Sequence, residues 1–155
     1  ERDKGTEQTQ RQLKRGTLQY MIEKGHISSN GPEMLAAEEI GRVYGYVVAE
    51  VSRSSGWNLE RVHSGKQSAD AEPRWFTNAY ADKYKPWAAE LNNVAFDVVI
   101  NIVWERHTAR TCDRWYRWTS GTSQDILIWA LRRYALLAGW VGGQTALDWR
   151  AKIYS

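Results

Sequence analysis

One turn, Thr119-Ser120-Gly121, divides the stretch from Thr108 to Leu137 into two helical halves. Gly121 can take the positive φ that a sharp corner needs. Thr122 is placed to cap the second half, and Asp125 sits three residues on, where a capping partner and the helix dipole both favour an acid. That second helix is predicted to run to Ala138 and to stop at Gly139, a normal residue just past a helix end. A short helix, a three-residue turn and a longer helix are the parts of a helix-turn-helix.

The rest of the chain also reads as helical. Residues 1 to 10 are polar and are predicted to be a flexible segment. Gln10 to Lys24 carries one loose apolar stripe through Leu13, Leu18, Met21 and Ile22. Gly25 to Pro32 is a turn, with Pro32 at a first helical position. Glu33 to Arg53 is the clearest helix: Ala36, Ile40, Val43, Tyr44, Val47, Val48 and Val51 recur at three and four. Gly41 and Gly45 on it permit close approach of another helix. Residues 54 to 73 are rich in Ser and Gly, lack periodicity and read as a long loop. Arg74 to Lys83 reads as a short aromatic helix, and Pro86 as the opening of another that runs from Trp87 to about His107. A short last helix after Thr145 docks back through Ala146, Leu147, Trp149, Ile153 and Tyr154. The expectation is therefore an all-α fold: a single domain over residues 11–155, of about six helices, with a C-terminal helix-turn-helix at residues 108–138.

Composition narrows the function classes. At 155 residues with 43% apolar and 25% charged side chains, the chain can bury a core and reads as soluble. A single Cys excludes an internal disulfide and suits the cytoplasm. No apolar run is long enough to span a membrane. The net charge of +3 mildly favours an acidic partner. Nine Trp and eight Tyr against two Phe is an unusual balance. Those rings either fill gaps between short helices or form a surface for a partner or for stacked bases.

Catalytic chemistry is hard to find. His26, His63 and His107 make no zinc-spaced pair with Cys112. No phosphate-binding glycine loop occurs, and no carboxylate pair is set for acid/base work. Cys112 reads as a small core residue. The expectation is a protein that is not an enzyme, with no metal and no cofactor. The basic residues are more informative. Arg106, Arg110, Arg114 and Arg117 recur at intervals of four, four and three, so on one helix they would share a face. The planar fork of Arg donors suits phosphate. A positive ridge on the first helix of the motif is where DNA backbone contacts are expected. Ser120, Thr122, Ser123, Gln124 and Ile128 would then face the groove. Gln bonds adenine in a bidentate manner, and Ser or Thr serves several bases.

The residue order also resembles that of sigma-factor-like helix-turn-helix modules in small prophage-type regulators. The matching positions are Thr108, Arg110, Cys112, Tyr116, Trp118, Thr119, Gly121, Thr122, Ala130 and Leu131. Arg117 stands where that pattern usually has a turn Gly, and Asp113 where a small Ala packs the two helices. Ile126, Ile128 and Trp129 hold positions that are often polar. The resemblance implies transcription regulation on double-stranded DNA, in company with RNA polymerase. A palindromic site would imply a homodimer, with the 33–53 helix as its surface. The alternative is a protein-interaction module that binds RNA polymerase or another host protein through an aromatic-rich surface.

Overall fold

Pro32 and the apolar repeat behind it set the longest helix. Proline lacks the donor that a first helical residue would leave unused anyway, and its fixed φ starts the turn. A computed structural model describes residues 16–53 and 72–154. The described chain is all-helical. Helix α1 covers residues 16–23, α2 is Pro32–Arg53, and α3 runs without a break through Arg74–Ala79, Tyr80–Tyr84 and Lys85–Glu90. Then come α4, Asn93–Val103; α5, Ala109–Tyr116; α6, Thr122–Ala138; and α7, Gly143–Tyr154. The expected flexible segment at 1–10 and nearly all of the expected loop at 54–73 lie outside the described residues.

The break expected at Pro86 is not there. The middle segment of α3, Tyr80–Tyr84, is a π-helix, and the Lys85 amide donates to the Tyr80 carbonyl five residues back. A widened turn directly before a proline accommodates a ring that a regular α-turn would exclude. The chain breaks instead at Leu91, which is extended, and Asn92 caps the next helix by accepting from the Ala95 amide at 2.7 Å. Helix α4 also ends four residues before the expected His107, because Trp104 to Thr108 form a connection. The final helix begins at Gly143, two residues ahead of the expected Thr145 cap. Ala146 is buried and Trp149 half-buried as expected, whereas Leu147 is exposed.

Helix α6 is the hub and touches α2, α3, α4, α5 and α7. Its inner face buries Leu127, Ala130, Leu131, Tyr134 and Ala135. Trp87 of α3 is wholly buried and donates its indole N–H to the Ala130 carbonyl at 2.8 Å, so the polar tip of the ring is satisfied inside the core. Glu39 of α2 accepts from the Tyr134 hydroxyl at 2.6 Å and from Lys83 at 2.9 Å, which ties α2, α3 and α6 together. Burial, then that carboxylate, push the Tyr134 phenol far above its ordinary range, so it stays a donor.

Glycine spacing on α2 matters where α4 ends. A Cβ at Gly45 would lie 2.7 Å from the Trp104 ring, and one at Gly41 would lie 3.3 Å from Val103 Cγ1. The close approach expected at these two positions is therefore made by the end of α4. The aromatic surplus is largely packing. Rings of Trp75, Phe76, Tyr80, Tyr84, Trp87, Tyr134 and Trp140 touch in sequence from one side of the core to the other. No helix among the described residues is long and apolar enough to cross a membrane.

Candidate nucleic-acid interface

Helix α5 is short, and its two ends are fixed by side chains and by backbone geometry. At its start the Thr108 hydroxyl accepts from the Thr111 amide at 3.0 Å. The buried Thr17 of α1 accepts from the Ala109 amide at 2.8 Å, so a second helix helps to cap the first turn. At its end Arg117 adopts φ 58°, and the Arg117 and Trp118 amides donate to the Arg114 and Asp113 carbonyls. This is the left-handed helix stop usually made by glycine. Arg117 thus holds a backbone conformation that glycine adopts more readily.

The corner continues to Gly121, at φ 97°. The expected Thr122 cap is replaced: Gly121 is the capping residue, and it offers no side chain. Asp113 does the capping from the neighbouring helix. Its two carboxylate oxygens accept from the Gly121 amide at 2.9 Å and the Ser123 amide at 2.7 Å. Burial alone would raise the Asp113 carboxyl, but hydrogen bonding from Ser123 and Gly121 outweighs it and holds the group below its ordinary value. Asp113 is thus the strut that sets α6 against α5.

The positions of the four arginines differ from expectation. Arg110 and Arg114 sit one turn apart on α5 and are exposed. Arg106 is not on that helix: it precedes the Thr108 cap, in left-handed backbone at φ 65°. It lines a separate cleft of about 410 Å³ with Arg42 and Trp104. Arg117 is exposed at the corner, beyond the last helical residue. The expected four-residue ridge is therefore a pair on one helix with a flanking arginine beyond each end. No ion pair among the described residues engages any of the four. Arg132 and Arg133 on α6 are different: they pair with Glu33 at 3.2 Å and Glu90 at 2.8 Å.

The base-contact candidates also divide. Ser120 is exposed and Gln124 is half-buried; both line a groove of about 630 Å³ together with Arg110 and Arg114. Ser123 is wholly buried and cannot reach a base. Its hydroxyl makes no hydrogen bond of good geometry, but it lies close enough to Asp113 to favour the charged carboxylate. Thr122 is half-buried and donates its hydroxyl to the Thr119 carbonyl at 2.7 Å. Ile126, Ile128 and Trp129 are half-buried against the core, so Ile128 is packing rather than a groove contact.

Two aromatic residues also line the groove: Trp118, whose ring sequence reasoning left open to stacking or packing, and Tyr20, which it did not single out. Tyr20 arrives from α1, and only the docking of α1 onto α5 brings it there. Trp118 comes from the corner itself, stacked on Tyr116 with ring centroids 4.6 Å apart and planes at 15°. Trp115 stands outside on α5, 55% exposed, its ring edge-on to His107 at 4.8 Å. Cys112 is buried, and burial and then the Asp113 carboxylate push its thiol up, which leaves it a core residue rather than a nucleophile. No family model, curated protein or solved structure matches the chain.

Proposed function

We propose that the chain is a transcription regulator of prophage type that binds double-stranded DNA through a helix-turn-helix formed by α5 and α6. The observation that carries this reading is the groove beside the corner. There two exposed guanidinium groups one helical turn apart stand next to Ser120 and Gln124, with no carboxylate among the described residues paired to either arginine. Unpaired arginines on a rigid helix suit phosphate oxygens, and a neighbouring Gln suits a base edge. Arg106 and Arg117 extend the contact to the flanking phosphates, and Thr122 braces the corner. Action alongside RNA polymerase follows from the resemblance to sigma-factor-like modules, and a homodimer follows if the site is palindromic.

A second reading is favoured by one observation. Trp115 is more than half exposed, and a tryptophan so placed can anchor a protein partner such as RNA polymerase. Titration of random-sequence duplex at several salt concentrations separates the two. Phosphate neutralisation makes affinity fall steeply as salt rises. The absence of measurable duplex binding at low salt would leave the protein-interaction reading.

A further inference from the structure

We infer that the groove between α1, α5 and the start of α6 takes a nucleotide whose base is out of the helical stack; this rests on the nucleic-acid reading above. The groove is concave and holds about 630 Å³, within the size range of small-ligand sites. The backbone of an intact duplex needs only exposed charge, which Arg110 and Arg114 already give. The concavity and its aromatic walls ask for something else.

Trp118 has a planar neighbour in Tyr116, whose ring lies parallel at 4.6 Å, and it also lines the groove. A base in the groove would meet in Trp118 a ring that Tyr116 already holds in place. Tyr20 contributes a second ring from α1; it is 42% exposed and carries the Lys24 ammonium 5.7 Å from its centre. Aromatic faces accept any base, because every base presents a π-face. Arg110 and Arg114 can hold the attached phosphate, and Gln124 and Ser120 offer donors and acceptors for the base edge. The Asp113 carboxylate also borders the groove, but its oxygens already accept from two backbone amides. A bare phosphate would leave the rings unused, and an apolar ligand would leave two guanidinium groups uncompensated. A nucleotide uses both.

The base has two sources, an unpaired position in a DNA strand or a free nucleotide. The test uses the full chain and labelled duplexes, one intact and one with a single central bulged nucleotide, followed by fluorescence anisotropy. Adenosine 5′-monophosphate is added as a competitor and also titrated alone. Wild type should bind the bulged duplex roughly ten-fold more tightly than the intact one, the scale expected for one stacked base. Tyr20→Ala should remove most of that preference and leave intact-duplex affinity unchanged. Trp118→Leu should do the same, and because Trp118 also packs against the core, Tyr20→Ala decides if that variant fails to fold. Displacement by the monophosphate supports the site with a free nucleotide as its source, and resistance to displacement supports the strand. Equal affinity for both duplexes, or a preference that survives Tyr20→Ala, overturns the inference while duplex binding stands. Monophosphate binding that Tyr20→Ala abolishes, with no duplex bound, supports the groove and refutes the duplex reading; binding of neither probe refutes both.

Discussion

Replacing Asp113 by Ala removes one side chain that two backbone amides depend on. The Gly121 amide belongs to an exposed residue, where water can take over its hydrogen bond, so its loss should cost about 1 kcal/mol. The Ser123 amide belongs to a wholly buried residue, and an unmade bond to a charged acceptor there should cost about 2 kcal/mol. The sum, about 3 kcal/mol, exceeds the usual loss of about 1 kcal/mol at a helix cap because this carboxylate serves two amides at once. For a chain of this size it corresponds to a fall in melting temperature of roughly 6 to 12 °C. Asp113→Asn keeps one acceptor oxygen and should recover about half.

The pH dependence follows from the same contacts. Folding lowers the Asp113 carboxyl below its ordinary 3.8, so the unfolded chain binds that proton more readily. Its stabilisation is fully present above the unfolded value and is lost as pH falls through the folded one. Thermal unfolding followed by circular dichroism between pH 7 and pH 2.5 checks both effects. Asp113→Ala should melt early at pH 7 and approach wild type at the acid end. A variant within about 1 kcal/mol of wild type at pH 7 would refute the strut.

Two further outcomes concern the same corner. Arg117→Gly relieves left-handed backbone at φ 58° and should stabilise the fold by about 0.5 kcal/mol, the strain relieved less the entropy lost by glycine; a lower denaturation midpoint in urea would contradict the assigned backbone. Cys112, buried and with its thiol pushed up, should resist alkylation by iodoacetamide at pH 7.5 in the folded protein and react once the chain is unfolded in guanidinium. Rapid labelling of the native state would show that α5 is not packed as described.

Much of the helical layout was legible because it depends on local chemistry. The apolar repeat behind Pro32 predicts α2 almost to its ends, and Gly139 at φ 75° closes α6 where a glycine stop was expected. Thr108 caps α5, a role that its hydroxyl suits. What could not be read depends on partners distant in sequence or on unusual turns. Asp113 caps residues eight and ten positions ahead, so no local capping pattern shows it. The even spacing of Arg106 with the other arginines hides the Thr108 cap that leaves it outside the helix. Ser123 looks like a surface polar residue until α6 is placed against α5 and buries it. The continuous α3 needs a π-turn that a Pro rule alone does not suggest. In the candidate site, Arg110, Arg114, Ser120 and Gln124 were legible from spacing and side-chain chemistry. Tyr20 was not, because its place in the groove is a product of tertiary packing.

The salt dependence of duplex binding in Arg110→Ala/Arg114→Ala tests the central proposal most directly. Each phosphate contact contributes about 0.9 to the slope of log affinity against log salt. The double variant should bind all duplex sequences more weakly, with a slope shallower by about 1.8 than wild type and an unchanged melting temperature. A slope identical to wild type, or affinity lost for one sequence alone, would contradict the assignment of these two arginines to the phosphate backbone.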